Sequence, residues 1–219
     1  MPQPAPTVAG AASPLLAALE HAWAAIRARH PDVPDAVLVV ASGGDSKRFN
    51  LGHFAPDRWQ VAGAGRHEVL VGGEGLRRGP VEVLCTLLHE AAHGLARARS
   101  IKDTSRQGRY HNRRYAHLAA ELGLTVTHDE RIGRSLTTVP EPTAAAYTAV
   151  VDEIRVALVL WRYLDQLAGP KTRSRNLLAC ACPCGRRIRA ATATLADAPI
   201  LCGACEQPFE PADPDEGSN

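Results

Sequence analysis

The chain has 219 residues, 45% of them hydrophobic and 22% charged, and a formal net charge of +2. That is enough chain for one sizeable core and a small second module, and a balance this close to neutral names no charged partner. No run approaches the roughly 18 consecutive apolar residues of a membrane-spanning helix, so no membrane partner is expected.

The opening MPQPAPTVAGAASPLL has neither a basic start nor a long apolar core. It reads as a disordered leader over residues 1–12 rather than a signal peptide. Ser13 followed by Pro14 opens a helix through LLAALEHAWAAIRARH, which should stop before Pro31. AVLVVAS, residues 36–42, is an apolar β-branched run ended by Gly43-Gly44, hence a strand and a turn. GHFAPDRWQV and HEVLVGGEGL suggest two more strands. Pro80 opens a long helix through VEVLCTLLHEAAHGLARARS, with apolar residues at helical spacing. IKDTSRQGRYH is polar and reads as a loop; NRRYAHLAAELGL reads as a helix stopped by Gly123. TVTHDERIGRSLTTVP suggests a strand and turn, and PTAAAYTAVVDEIRVALVLWRYLDQL a third long helix. A basic linker over 166–178, a cysteine module over 179–210 and an acidic tail over 211–219 complete the chain. The expected class for residues 13–165 is α+β, with three long helices and a small sheet ahead of the second.

Within the Pro80 helix lies LLHEAAHGLA. Residues i and i+4 of a helix share a face one turn apart, so His89 and His93 can aim ring nitrogens at one ion. Glu90 projects beside them. Catalytic zinc takes three protein ligands and leaves one position for water, and hydrolysis also needs a base for that water's proton. His-Glu-x-x-His supplies two ligands and the base. At this chain's composition the pattern arises by chance in roughly 2% of cases, which favours a metal over two incidental histidines. Small Ala91, Ala92 and Gly94 leave room for close approach. The third ligand lies elsewhere. Arg99 stands where the extended HExxHxxGxxH pattern needs histidine, leaving His111, His117, Glu121 and His128 as downstream candidates. His117 stands six residues after His111, off its helical face, and reads as packed or surface-exposed. Cys85, one turn before His89, reads as a small core residue.

Cys180, Cys182, Cys184, Cys202 and Cys205 fall within 26 residues. Without a secretion signal, close cysteine pairs favour zinc over disulfides and a reducing, cytoplasmic setting. Cys202-x-x-Cys205 is one half-site of a closed four-thiolate zinc centre, and Gly185 after Cys184 resembles a zinc-ribbon knuckle. The other half is read as Cys182 with Cys184, Cys180 being the alternative. A module this short has little core, so zinc would supply much of its folding energy.

Together, LLHEAAHGLA, DTSRQGRYHNRRYAHLAAELGL and the cysteine ribbon resemble the SprT-like zinc metalloproteases, which include the Spartan DNA-dependent proteases. The resemblance spans about residues 13–210. It implies a zincin-like fold and a third ligand from a histidine shortly after a glycine, opening the helix downstream of HExxH; Gly108 and His111 match. It further implies peptide hydrolysis, in which a zinc ion on His89, His93 and His111 acidifies water and Glu90 carries the proton to the leaving amine. Arg109 or Tyr110 would assist at the developing oxyanion.

Basic residues cluster twice. Lys171, Arg173, Arg175, Arg186, Arg187 and Arg189 span 171–189 with no acidic residue, and seven basic residues between Arg97 and Arg114 face only Asp103. Such patches suit phosphate backbones, although few aromatics lie near to stack bases, Phe209 being one. The reading is therefore a zinc metallopeptidase with one catalytic and one structural zinc, acting on protein or peptide substrates that can be DNA-associated. The rival is a non-catalytic, zinc-stabilised nucleic-acid-binding or adaptor protein. A further alternative is a metal-dependent hydrolase of non-peptide substrates.

Overall fold

The structure, a computed structural model, describes residues 10–45, 48–163 and 177–212. The chain divides into two compact units, Met1–Gln166 and Leu167–Asn219. The class is mixed α+β. Among the described residues, no helix is long and apolar enough to cross a membrane. The expected leader (through residue 9), most of the linker with Lys171, Arg173 and Arg175, and the tail from residue 213 lie outside the described residues.

Unit 1 opens with α1 (Ala12–Arg29). It begins two residues earlier than Ser13-Pro14 suggests, capped by Ala11 without a side-chain bond. Leu15, Leu19, Ala22, Trp23 and Ile26 recur at i, i+4, i+7, i+8 and i+11, the stripe that a core-facing helix buries. Trp23 Nε1 donates to Pro34 O at 3.2 Å, giving its buried polar edge a partner.

β1 (Ala36–Ala41), β4 (Gly52–Val61) and β5 (Ala64–Gly72) form a sheet in the order β1-β5-β4. β5 lies parallel to β1 and antiparallel to β4, so β4 is an edge. Ala62 and Gly63, both at positive φ, make the two-residue turn between β4 and β5. Two short strands, β2 (Gly44–Asp45) and β3 (Arg48–Phe49), pair ahead of β4.

α2 (Pro80–Ala98) follows a single 3-10 turn. Twelve of its nineteen residues are buried, among them Leu84, Leu87, Leu88, Ala91 and Leu95, which makes it the central helix of the core. Truncating one of these leucines to Ala should cost about 2–5 kcal/mol.

A second sheet packs against α3 (Arg113–Glu121). Its order is β6-β7-β9-β8, from β6 (Thr104–Ser105), β7 (Tyr110–His111), β8 (Thr125–Asp129) and β9 (Gly133–Thr138). The stretch read as a polar loop thus contains the short β6–β7 hairpin.

The third long helix expected over 142–167 does not form as one piece. α4 (Glu141–Ala146) ends at Tyr147, and α5 (Thr148–Ala157) begins directly after it. Tyr147 turns into the core under the Arg29 guanidinium, 4.9 Å from its ring centroid, and Thr148 Oγ1 caps Ala145 O at 2.8 Å. After Ala157 the backbone leaves the helix, and Arg162 N donates to Gly73 O at 3.0 Å. A tertiary bond replaces the helical ladder that residue periodicity alone would extend.

Unit 2 is a three-stranded sheet, order β11-β10-β12, from β10 (Leu177–Ala181), β11 (Arg187–Ala191) and β12 (Glu210–Pro211), with the short α6 (Thr192–Asp197). Cys180, Ala190 and Phe209 fill its small core.

Candidate metal centres

His89 and His93 sit one turn apart on α2, and β7 brings His111 to them. Their ring centroids are 5.3 Å (His89–His93), 5.1 Å (His89–His111) and 4.9 Å (His93–His111) apart. One ring nitrogen from each lies within 4.8 Å of the others, a group able to hold a metal ion. His93 Nε2 and His111 Nε2 are 3.0 Å apart. Two nitrogens bound about 2.0–2.1 Å from one tetrahedral ion would lie about 3.3 Å apart, so the donor set suits zinc in chemistry and spacing.

The other ring nitrogens are treated unequally. His93 Nδ1 meets Asp103 Oδ2 at 2.5 Å, and His89 Nδ1 meets Thr137 Oγ1 at 3.2 Å. His111 Nδ1 is buried and has no hydrogen-bond partner among the described residues. Tyr115, fully buried on α3, lies under all three rings, with centroids 4.5 Å from His111, 4.8 Å from His93 and 5.0 Å from His89. Asn112 sets α3 at this point. Its side chain accepts from Arg114 N and Tyr115 N at the helix start, and its Nδ2 donates to Lys102 O at 2.8 Å. Gly133 on β9 has φ +73°, and a Cβ there would stand 2.2 Å from His111 O, so only glycine lets β9 pass so close to the third histidine.

Glu90 is only 4% exposed and packs against the edge strand β4. The nearby Phe54 backbone N–H favours its ionised form. A Cβ at Gly52 would stand 2.9 Å from Glu90 Oε1 and 2.8 Å from Leu70 O, so the missing side chain makes room for the carboxyl. Burial raises the Glu90 pKa to about 7, and the neighbouring His93 and the Phe54 N–H draw it back only in part. Burial and the neighbouring histidines hold His89 well below its usual value, and burial lowers His111 to about 4. Burial opposes protonation of His93 too, but its bond to Asp103 and the nearby Glu90 outweigh it, and its pKa is raised. Two of the three histidines therefore favour the neutral form that a metal requires.

These groups open onto a cleft of about 960 Å³, lined by Gly52 and Phe54 from β4, Leu136 and Thr137 from β9, and the three histidines. That is the size of a ligand site. Cys85 also reaches its wall, buried, with Sγ 3.4 Å from Thr137 O.

The remaining candidates stand apart from the histidine group. His117 is exposed, Glu121 is bound to Arg99 at 2.7 Å, and His128 meets Tyr110 OH at 3.3 Å. Arg109, bonded to Gln107, does not line the cleft, and neither does Tyr110. Sequence reasoning missed Asp103, Thr137, Tyr115, Gly52 and Gly133. Only Asp103 carried a signal, as the single acidic residue among the seven basic ones from Arg97 to Arg114.

In unit 2, Cys182, Cys184, Cys202 and Cys205 bring their sulfurs within 4.8 Å of one another, a second group able to hold a metal. Sγ separations are 2.9 Å for Cys182–Cys184, 3.7 Å for Cys184–Cys202 and 3.9 Å for Cys182–Cys205. Sulfurs bound about 2.3 Å from one tetrahedral zinc would lie about 3.8 Å apart. Two turns present them. Gly185 N donates to Cys182 O at 2.9 Å, and Glu206 N donates to Cys202 O at 2.8 Å. Cys180 is outside the group: it is fully buried on β10, in the core with Ala190 and Phe209. The chain matches no protein-family model, no curated protein and no solved structure.

Proposed function

We propose that the chain is a zinc metallopeptidase, its first unit a zincin-like catalytic domain of SprT-like type and its second a zinc ribbon. The observation that carries this reading is the convergence of His89, His93 and His111 beside a buried carboxyl in one cleft. His89, His93 and His111 would hold the catalytic ion, and Cys182, Cys184, Cys202 and Cys205 the structural one. A zinc ion bound by three histidines lowers the pKa of water to near 7 and polarises a substrate carbonyl.

The chain's own residues supply the rest. Glu90, buried at the cleft wall beside the histidines, would take a proton from the attacking water and return it to the leaving amine. The space left at Gly52 seats its carboxyl at the cleft wall. Asp103 and Thr137 orient two of the histidines, and Tyr115 supports all three from below. A non-catalytic adaptor has no use for a carboxyl buried without an Arg or Lys partner beside a metal group, which favours the enzyme over that rival.

Nucleic acid is proposed as a partner on the strength of charge. Arg186, Arg187 and Arg189 are exposed on the ribbon. On unit 1, Lys102, Arg106, Arg109, Arg113 and Arg114 are exposed, and none forms an ion pair among the described residues. The test of the peptidase reading is hydrolysis of casein by the zinc-loaded chain and by Glu90→Gln, with and without single-stranded DNA. Cleavage by the wild type alone is expected; equal cleavage by Glu90→Gln would place the chemistry elsewhere.

A further inference from the structure

We infer that Asp103 is a positioning residue for the metal ligand His93, and that the hairpin it leads into also carries the third ligand, His111. The inference rests on the reading of His89, His93 and His111 as a metal site. An imidazole that gives one nitrogen's lone pair to a metal must carry its proton on the other nitrogen. Nε2 of His93 faces His111, and Nδ1 faces the Asp103 carboxylate at 2.5 Å. A carboxylate there accepts that proton's hydrogen bond, fixes the tautomer and ring angle, and makes the ligand more basic. The two side chains are only 18% and 15% exposed, so water competes weakly for this bond.

The same hairpin delivers His111. Thr104 pairs with His111, Ser105 pairs with Tyr110, and Asn112 N donates to Asp103 O at 2.9 Å. The anchor of the second ligand and the third ligand itself therefore lie at one end of one hairpin, tied by backbone bonds that do not involve the Asp103 side chain. Among the described residues no other member of the trio has a comparable anchor: His89 has a neutral hydroxyl, and His111 Nδ1 has no partner. The Asp103 carboxylate is thus the one charged group that orients the trio, and its loss should weaken metal binding without undoing the hairpin.

The test uses the full chain with zinc alone as the probe. Hydrogen exchange of the 101–112 segment is followed as free zinc is set with a chelator buffer, so the readout is local to this site and separate from the ribbon. In the wild type, zinc should protect the amides of His111 and Asn112. In Asp103→Asn, an isosteric change that leaves the fold intact, the zinc midpoint should rise about 10–100-fold, the effect usual for a ligand's outer partner. Asp103→Ala should shift it at least as far, and Asp103→Glu should recover part of the loss. Unchanged midpoints in both Asn and Ala variants, with zinc protection intact in the wild type, would overturn the role of Asp103 and leave the metal site standing. Absence of any zinc-dependent protection in the wild type, together with unchanged zinc stoichiometry in His93→Ala, would overturn the metal-site reading itself.

Discussion

Glu90→Gln should do opposite things to activity and to stability. Burial holds the Glu90 carboxyl at a pKa of about 7 against an ordinary value of 4.5. Below pH 4.5 the carboxyl is protonated in both folded and unfolded chains and contributes nothing to their difference. Between 4.5 and about 7 the unfolded chain gives up its proton while the folded chain keeps it, so stability falls as pH rises through that window. Above 7 both forms are ionised, and the full deficit remains. At about 1.4 kcal/mol per pH unit, the gap amounts to about 3 kcal/mol. Glutamine has nearly the same shape and no charge to desolvate. In the metal-free chain, Glu90→Gln should therefore be more stable than wild type by up to about 3 kcal/mol at pH 8, with little difference at pH 4.5. The gain would be the usual exchange of stability for function at a buried reactive group.

The assay is urea unfolding of both proteins in excess chelator at several pH values between 4.5 and 8. Chelation strips the ribbon equally in both, so its contribution cancels in the difference. Hydrolysis by zinc-loaded protein is measured in parallel and should be lost in the variant. A variant no more stable than wild type at pH 8, or a stability gap that stays constant down to pH 4.5, would refute the account of Glu90 as a buried, desolvated carboxyl.

Gly52→Ala should push the Glu90 carboxyl from its seat and strain β4 against Leu70 O. The expected loss is about 1–3 kcal/mol in denaturant melts, with a fall in kcat at unchanged zinc content. Metal analysis of the purified chain should find two zinc ions. Cys182→Ser should reduce this to one, whereas Cys180→Ser should keep both and cost only ribbon packing; two ions in Cys182→Ser would reassign the ligand set. Replacing Arg186, Arg187 and Arg189 by Ala should weaken single-stranded DNA binding in gel shifts and flatten the salt dependence by about 2 in the log–log slope. No shift by wild type at low salt would remove nucleic acid as a partner.

What the sequence made legible was local. His89, Glu90 and His93 share one turn of one helix, so their meeting follows from a 3.6-residue period alone. Cys202 and Cys205 share one turn of chain, as do Cys182 and Cys184. The sequence favours Cys182 over Cys180 for the other half, and in the fold Cys180 lies in the ribbon core outside the four-cysteine group. The third long helix failed for the complementary reason. Val151, Ile154 and Ala157 keep a helical stripe, and nothing in Leu158–Tyr163 announces that Arg162 will bond to Gly73 and Glu74 across unit 1.

His111 marks the limit of that reasoning. The spacing of residues left it beside His117, Glu121 and His128, and only a resemblance singled it out. The strand that carries it has two residues, too few for any periodicity to register. Its place depends on contacts that no sequence pattern announces: Gly133 lets β9 run against its carbonyl, Tyr115 supports its ring, and Thr104 pairs with its backbone. Each of these is an unremarkable residue when read alone. Gly133 looks like part of a turn, Tyr115 like helix core, and Asp103 like a stray acid in a basic run. A site assembled this way is written in the sequence as permissions, such as a missing Cβ or a short side chain at a crossing. Permissions become visible only once the crossing strands are known. Ligands on one helix can therefore be read from the chain, whereas the residues that hold and orient them have to be read from the fold.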